Sequence, residues 1–298
     1  MGGKSKGERS MRLNEASRDL QENTGTFESS DGLKIFYREF VAENERARLV
    51  VAHGIGEHSG RYRNVVEKLV PRDISVWAMD LRGHGKSEGR RGHILAFDDY
   101  VNDVSTMVEV AKREMQEETK YFLLGHSMGG LIALDFALRY PARMNGVILS
   151  SPSLGIGVKV PFLKKAIGKF MSSVAPGLTL SNGIDITKIS HDKQVVRAYE
   201  DDALVHDRVS ARWFTEFMKA IEKAGNSAPE LKVPILMQLA GDDALTDVNA
   251  SQKFFDGLTV DDKAVYVYEK LYHEIYNESE ELKSGPLQDL DDWIKAHL

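Results

Sequence analysis

The sequence predicts an α/β fold with a mostly parallel central sheet and helices on both faces. Six short apolar runs follow one another along the 298 residues, and polar residues or glycine end most of them, as they end buried parallel strands. Helical patterns lie between several of the runs. Such an alternation is typical of a parallel sheet covered on both faces. The length fits either two domains or one α/β domain that carries an insertion.

The composition excludes several other classes of protein. Hydrophobic residues make up 42% and charged residues 28% of the chain, which is ordinary for a globular protein. The formal net charge is −6, so no broad basic field is available for nucleic acid. The chain has no cysteine, which excludes disulfides, thiolate metal sites and a cysteine nucleophile.

The N-terminal region and the hydropathy pattern suggest a location. No apolar run approaches the ~18 residues of a transmembrane helix. Residues 1–24 are polar and lack the apolar stretch of a signal peptide. We expect a flexible N-terminal tail and a cytoplasmic protein, with peripheral contact to a membrane left open.

The elements are predicted in order along the chain. Residues 26–40 contain two short runs around the turn Ser30-Asp31-Gly32 and indicate a β-hairpin. The predicted buried strands are residues 49–52, 76–79, 121–124, 147–149, 235–240 and 265–268. Helical spacing of apolar residues predicts helices at 97–111, 131–138 and 287–298.

The alternation of strands and helices stops between residues 153 and 230. We predict that residues 25–152 and 231–298 form the α/β core. Residues 153–230, called the insertion below, are predicted to form a helical cap over the active-site face. Because ligands bind beyond the carboxyl ends of parallel strands, the loops at 53–62, 80–93, 125–130 and 241–247, and the loop that holds His273, are the places to seek chemistry.

A Gly-x-Ser-x-Gly motif, GHSMG at 125–129, directly follows a predicted strand and precedes a predicted helix. A sharp turn there strains the serine backbone and exposes its Oγ, and the flanking glycines avoid Cβ clashes. The helix start offers N–H groups to a developing oxyanion. We therefore predict Ser127 as a nucleophile; the plainer interpretation is a glycine-rich turn with an idle serine.

A serine nucleophile needs a histidine base, and the histidine needs a carboxylate to orient it. In this topology the chain order is Ser, acid, His, so the histidine should follow a late strand. His273 follows the run at 265–268, whereas His297 lies in the last turn of the final helix. His191 and His206 precede the strand at 235–240. His273 is therefore the predicted base, rather than an idle loop histidine.

The acid should follow the strand at 235–240. The loop there offers three aspartates, Asp242, Asp243 and Asp247, and spacing alone does not choose among them. The other two would solvate or shape the loop. No His/Asp cluster has metal-ligand spacing, so we predict no metal and no cofactor.

Six stretches carry a resemblance to a known family: HGIGEHSGRY (53–62), MDLRGHGKSEGRRGH (79–93), LLGHSMGG (123–130), SSPSL (150–154), LAGDDALTD (239–247) and YHEIYNE (272–278). Together they resemble the monoacylglycerol lipase and lysophospholipase branch of the α/β-hydrolase superfamily, which includes the serine aminopeptidase S33 group. The resemblance implies an α/β-hydrolase fold. In the family pattern D-x-L-x-D the first aspartate is the triad acid, which implies Asp243; Asp247 matches the second acidic position, and Asp242 lies outside the pattern.

The oxyanion hole is predicted from two loops. The residue after the nucleophile, Met128, supplies one backbone N–H. The resemblance assigns the second donor to the N–H of Ile55. It also implies that Glu57, Arg61 and His126 form a polar wall that holds a glycerol hydroxyl through ordered water. The alternative is a salt-bridged network that only shapes the loop.

The insertion contains an amphipathic pattern that begins at Pro161, a residue suited to the first helical turn. Between residues 153 and 180 the chain has four lysines and no acidic residue. This pattern fits a helix that docks on anionic lipid, or one that packs on the core or lines an acyl tunnel; we favour packing. The predicted apolar stripe is Phe162, Leu163, Ala166, Ile167, Phe170, Met171 and Val174, and the lysines are Lys159, Lys164, Lys165 and Lys169.

These observations predict a serine hydrolase that cleaves esters of single-chain lipids, foremost a monoacylglycerol lipase. A lysophospholipase or a general carboxylesterase is the alternative, and an S33-type aminopeptidase that binds a free amine through Glu200, Asp201 and Asp202 is a further one. A catalytically silent binding protein is the last alternative hypothesis. The expected partner is a small lipid ester, and the sequence does not predict an oligomeric state.

Overall fold

The computed structural model describes residues 20–113, 115–157 and 162–298, without the side chains of residues 162–167. Residues 1–19 of the predicted tail, Lys159 and the predicted helix start at Pro161 lie outside the described residues. The first strand begins at Asn23, which is paired with Glu39. The hairpin therefore starts two residues before the predicted core, because backbone pairing requires no apolar side chain.

The strands in the described part of the chain are β1 (Asn23–Glu28), β2 (Lys34–Phe40), β3 (Ala47–Ala52), β4 (Ile74–Met79), β5 (Lys120–His126), β6 (Gly146–Ser150), β7 (Thr179–Ser181), β8 (Arg208–Ser210), β9 (Ile235–Ala240) and β10 (Lys263–Tyr268). Eight of them form one sheet in the order β1-β2-β4-β3-β5-β6-β9-β10. The pairs β1–β2 and β2–β4 are antiparallel, and the remaining neighbours are parallel. The predicted hairpin and mostly parallel sheet are confirmed.

The helices in the described part of the chain are α1 (Arg63–Leu69), α2 (Asp98–Lys112), α3 (Met128–Arg139), α4 (Phe162–Val174), α5 (Lys193–Glu200), α6 (Ala211–Ala224), α7 (Val248–Asp256) and α8 (Glu280–Ala296). They cover both faces of the sheet. The sequence analysis predicted α2 and α3 but not α1 or α7, which are short and follow active-site loops.

Two apolar cores lie on opposite faces of the sheet. Val50 and Ala52 of β3 face the core that includes α2 and α3, whereas Leu49 and Val51 face the core that includes α1 and α8. All four side chains are fully buried. Burial of each Val or Leu stabilises the fold by about 1.5–3 kcal/mol. The sheet is thus held rigidly, and its carboxyl edge is a firm support for the loops that follow each strand.

The insertion was predicted to be helical, and the structure corrects this in part. Besides α4, α5 and α6 it contains β7 and β8, which form a separate antiparallel pair. β7 follows α4 and β8 directly precedes α6. The two strands lie side by side, so their backbone N–H and C=O groups pair with each other. The domain boundaries at residues 153 and 230 remain a prediction.

Two residues of the predicted apolar stripe on helix α4 are not packed as expected. The helix packs on α6, and a Cβ atom at Gly168 would lie 3.2 Å from the Phe214 ring. Phe170 is nevertheless 65% exposed and Val174 60% exposed, so these two stripe residues face away from the core. The side chains of Phe162, Leu163, Ala166 and Ile167 lie outside the described residues, as do those of Lys164 and Lys165.

The last helix begins at Glu280, seven residues before its predicted start at Leu287. The Ser-Gly-Pro sequence at 284–286 indicates a turn, yet α8 runs through Pro286, which is buried. Leu287 and Leu290 pack into the core beside α1, and Gln238 Nε2 donates to the Pro286 carbonyl at 2.8 Å. Tertiary packing therefore overrides the local turn signal. Among the described residues, no helix has the length and apolar character to cross a bilayer.

Candidate active site

Ser127 occupies a strained turn between β5 and α3. Its backbone has φ 54° and ψ −118°, a conformation that non-glycine residues rarely adopt. The flanking glycines make the turn possible. A Cβ atom at Gly125 would lie 2.1 Å from the Gly129 carbonyl oxygen, and one at Gly129 would lie 2.1 Å from the Ala52 carbonyl oxygen. The turn places the serine at the carboxyl edge of the sheet.

His273 lies beside Asp243. Its Nδ1 is 2.7 Å from Asp243 Oδ2, and both side chains are buried. Asp243 Oδ1 also accepts the N–H groups of Leu245 and Thr246 at 2.8 and 3.0 Å, and Oδ2 accepts the Thr246 hydroxyl at 2.8 Å. These donors hold the carboxylate in one orientation, so one oxygen always faces the imidazole.

The charges of this pair reinforce each other. Burial raises the pKa of Asp243, but the charge and hydrogen bond of His273 and two backbone N–H groups outweigh it, and the pKa falls to about 2. Burial lowers the pKa of His273, but the charge of Asp243 outweighs it and the pKa rises above its ordinary value of 6.5. Asp243 is therefore ionised near neutral pH, as an orienting carboxylate requires.

The other aspartates and histidines considered for these roles have different environments. Asp242 is exposed, and Asp247 caps α7 by accepting the N–H groups of Asn249 and Ala250. The remaining late or inserted histidines each contact another group: His297 contacts Asp262, His191 contacts Glu278, and His206 contacts the Gly83 carbonyl. Of the three aspartates, the one at hydrogen-bonding distance from His273 is Asp243.

Ser127 and His273 line the same cavity of about 380 Å³. The Ser127 Oγ lies 3.4 Å from the Ser153 Oγ, and the His126 ring lies 4.7 Å from the His273 ring, measured between centroids. Apolar side chains line much of the rest of the cavity, many of them from the insertion: Ile55, Ile156, Ile184, Ile189, Val209, Trp213, Phe214, Phe217 and Leu245. The cavity thus combines reactive polar groups with a largely apolar lining.

The two predicted oxyanion donors come from the loop after β3 and from the start of α3. Met128 is the first residue of α3, and the first N–H groups of a helix have no partner within it. Ile55 lines the cavity in the loop after β3. This loop is firmly held: His53 Nε2 accepts the Leu81 N–H at 2.9 Å, and the Gly54 N–H donates to Glu57 Oε1 at 2.6 Å. The donor roles themselves remain predictions.

The predicted polar wall is a buried charged network. Arg61 forms a hydrogen-bonded ion pair with Glu274, and its Nε lies 3.4 Å from Glu57 Oε2. Its guanidinium carbon also lies 4.5 Å from the centre of the Tyr199 ring. His126 Nδ1 lies 3.1 Å from the Ser150 carbonyl, and burial is the main cause that lowers the pKa of His126 to about 3. Glu57, His126 and Glu274 all line the cavity.

The insertion holds in place residues 53–56, the loop after β3 that carries Ile55 and is called the oxyanion loop below. Asp202 Oδ2 lies 2.9 Å from His58 Nε2, and the His206 N–H donates to the Gly56 carbonyl at 2.9 Å. Gly56 has φ 79°, and a Cβ atom there would lie 2.5 Å from the His206 carbonyl oxygen. The loop that carries Ile55 therefore depends on the insertion for its position.

The sequence analysis assigned no role to Ser153 or Glu274, both of which line the cavity. Glu274 directly follows the predicted base, and Ser153 follows β6. The rule that ligands bind beyond the carboxyl ends of strands points to both positions. The loop after β6 was nevertheless not among those selected for chemistry, so this signal was present but not used.

A serine held at positive φ between a strand and a helix, with a histidine–carboxylate pair brought to the same cavity by later loops, is the arrangement of the α/β-hydrolase class of enzymes. Within that class, the family described as serine aminopeptidase, S33, matches residues 43–280, and the chain belongs to this family. The resemblance stated from the sequence motifs is thereby confirmed, and fold and family make the protein an ester-hydrolysing enzyme.

Comparison with individual proteins gives relatives of two kinds. Phospholipase YtpA of Bacillus subtilis is 38% identical over 80% of this chain and 92% of its own length. The monoacylglycerol lipase of Mycolicibacterium smegmatis is 32% identical over 92% of this chain and 97% of its own. The crystal structure of Paleococcus ferrophilus monoacylglycerol lipase superposes with a TM-score of 0.81 and is 33% identical, covering 89% of this chain and 99% of that one.

Proposed function

We propose that this protein is a serine hydrolase of single-chain lipid esters, acting as a monoacylglycerol lipase through Ser127, His273 and Asp243. The observation that carries the proposal is the cavity itself. Its lining includes the strained serine and the histidine of the Asp243–His273 pair, and the rest of the lining is largely apolar. Such a cavity suits an acyl chain with its ester bond at the serine. Relatives named monoacylglycerol lipase support the choice of head group.

The proposed reaction assigns one role to each of these groups. Ser127 Oγ attacks the acyl carbonyl while His273 Nε2 takes its proton, and Asp243 keeps the proton on Nδ1. The N–H groups of Ile55 and Met128 stabilise the tetrahedral oxyanion; loss of one such donor costs roughly 10²–10³ in rate. His273 then protonates the leaving alcohol. Water cleaves the acyl-enzyme by the same route, and the fatty acid is released.

A lysophospholipase is the second candidate, and a specific observation favours it. The relative named phospholipase, from Bacillus subtilis, is 38% identical to this chain. The aminopeptidase alternative gains less support from the structure. Glu200 and Asp201 are exposed, and Asp202 contacts His58 and the Leu204 N–H, so these carboxylates have structural surroundings.

The deciding experiment measures fatty-acid release from monooleoylglycerol and from lysophosphatidylcholine, and cleavage of an N-terminal proline amide. We expect the highest kcat/KM for monooleoylglycerol. Ser127→Ala should abolish turnover and labelling by a fluorophosphonate probe. Ser153→Ala is the matched control, because its hydroxyl lies 3.4 Å from that of Ser127 and it should still be labelled. Preference for the phospholipid, or labelling that persists in Ser127→Ala, would contradict the proposal.

We also propose that the insertion contacts membrane surfaces. Four of its apolar side chains, Phe170, Val174, Leu178 and Leu180, are between 46% and 65% exposed. The segment from residue 153 to 180 carries four lysines and no acidic residue, which suits an anionic lipid surface.

Sedimentation with vesicles of phosphatidylcholine and phosphatidylglycerol tests this contact. Because burial of each large apolar side chain is worth about 1.5–3 kcal/mol, Phe170→Ser with Leu180→Ser should lower vesicle binding at least ~10-fold. Val41→Ser is the control, since Val41 is 50% exposed but lies outside the insertion. Wild-type protein that stays in the supernatant would refute membrane contact without affecting the proposed chemistry.

A further inference from the structure

Two buried carboxylates share the cavity with the nucleophile. Glu57 is 3% exposed and Glu274 is 6% exposed, and both line the same cavity as Ser127 and His273. Glu57 follows the oxyanion loop, and Glu274 follows the predicted base. They come from different ends of the chain and converge on one guanidinium group, that of Arg61.

Arg61 balances only one of these two charges. It is ion-paired with Glu274 and with Glu57, and it stacks on Tyr199. Burial lowers the pKa of Arg61, but the two carboxylates outweigh it and raise that pKa, so the guanidinium stays charged. The three side chains together carry a formal net charge of −1. The charge of Arg61 is therefore already neutralised by these two carboxylates.

The polar groups beside Arg61 are themselves hydrogen-bond acceptors. Glu57 Oε1 accepts the Gly54 N–H and the Tyr62 hydroxyl, and Glu274 Oε2 accepts the Asn277 amide at 2.9 Å. His126 is a neutral imidazole, because burial lowers its pKa to about 3. Its Nδ1 lies 3.1 Å from the Ser150 carbonyl oxygen and 3.2 Å from the Ser150 hydroxyl. Because the carbonyl can only accept, we assign the proton to Nδ1, which leaves Nε2 as a hydrogen-bond acceptor.

We propose that Glu274 adds a negative charge to the predicted hydroxyl-binding wall of Glu57, Arg61 and His126, and thereby makes the wall a filter that excludes head groups with a phosphate. This inference rests on the proposed function, since it assumes that the leaving group of a lipid ester lies against the wall. A glycerol hydroxyl can donate to the carboxylates and to the imidazole. A fully ionised phosphate has no donor and would lie beside a buried network of the same sign.

Glu274→Gln is the variant that tests the filter. The glutamine oxygen keeps an acceptor for Arg61 and Asn277, so the geometry is preserved, while the charge of the network rises from −1 to 0. The matched control is Glu43→Gln. It is the same chemical change at an exposed residue that precedes β3, at the amino edge of the sheet and opposite the cavity.

The assay measures inhibition of p-nitrophenyl octanoate hydrolysis by 1-O-octylglycerol and by 1-O-octylglycerol 3-phosphate. These ethers report on the head-group wall without being hydrolysed, so the result does not depend on turnover of monoacylglycerol. We expect the phosphate ether to have an inhibition constant at least ~10-fold higher in the wild-type enzyme. In Glu274→Gln this ratio should fall at least ~5-fold, and in Glu43→Gln it should not change.

Two results would overturn the filter. One is equal inhibition of the wild-type enzyme by the two ethers. This measurement uses the wild-type enzyme alone, so it does not depend on whether a variant folds. The other is an unchanged ratio in a Glu274→Gln protein whose circular dichroism matches the wild type. Failure of the proposed lipase function appears elsewhere, as absence of fatty-acid release from monooleoylglycerol while the ethers still discriminate.

Discussion

Asp243→Asn should inactivate the enzyme by placing the wrong tautomer of His273 opposite Ser127. Asp243 Oδ1 accepts two backbone N–H groups, from Leu245 and Thr246, at 2.8 and 3.0 Å. An asparagine must keep its carbonyl oxygen there, because an amide NH₂ would face two donors. Its nitrogen then takes the place of Oδ2, 2.7 Å from His273 Nδ1.

This exchange reverses the hydrogen bond to the imidazole. The asparagine NH₂ donates, so Nδ1 of His273 must accept and the ring proton moves to Nε2. A protonated Nε2 cannot take the proton of Ser127. The same substitution in a serine protease triad lowers kcat by ~10⁴, or about 5 kcal/mol. We expect a similar loss of kcat here, and a change in KM below about threefold, because the removed group is not part of the acyl-binding surface.

The assay is hydrolysis of p-nitrophenyl octanoate as a function of pH. The wild-type rate should fall on the acid side as His273 becomes protonated, with a midpoint above the ordinary value of 6.5, because the charge of Asp243 raises that pKa. The variant lacks this charge. The pKa of its His273 is therefore lower, and the acid limb of the residual activity should move to lower pH.

Asp242→Asn is the matched control, since Asp242 is the exposed neighbour in the same loop. It should keep nearly full activity, and both variants should melt close to the wild-type temperature. The reasoning is refuted if Asp243→Asn keeps more than about a tenth of wild-type kcat. It is also refuted if the control loses as much activity as the variant.

Two further predictions concern the loop and the cavity. Gly32 and Gly56 both have positive φ, so alanine at either should cost about 1–2 kcal/mol and lower the melting temperature by a few degrees. Gly56→Ala should lower it about twice as far and reduce kcat, because its Cβ also meets the His206 carbonyl at 2.5 Å; equal effects in a melting and kinetic comparison would argue against the clash. Ile184→Trp should fill the cavity and lower kcat/KM for an oleoyl ester at least ~10-fold more than for a butyryl ester, whereas Ile186→Trp outside the lining should not; parallel losses for both esters would contradict an acyl role.

The catalytic part of the site could be predicted further than the cavity around it. The Gly-x-Ser-x-Gly motif depends on a local turn, and a Cβ atom at position 125 or 129 would lie 2.1 Å from a backbone oxygen, as the motif implies. The choice among three aspartates needed more than local spacing. The resemblance favoured Asp243, and the structure places that residue at hydrogen-bonding distance from His273.

The course of the insertion was less predictable. Its helical periodicity indicated α4 but not the short pair β7 and β8, whose strands have three residues each and little pattern of their own. The stripe containing Phe170 and Val174 was expected to pack, yet both residues are exposed. An amphipathic pattern shows that a helix has an apolar face, but it does not show what covers that face.

The sequence by itself determined the features that depend on short stretches of chain. The alternation of buried runs and helices implied a mostly parallel sheet, and the turn after β5 marked Ser127, because periodicity and turn chemistry act over a few residues. The tertiary structure alone decided which distant groups meet. Asp243 and His273 are 30 residues apart, and Arg61 and Glu274 are 213 apart. Such pairs form because parallel strands with crossover connections bring remote loops to one edge of the sheet, and no local propensity encodes that contact.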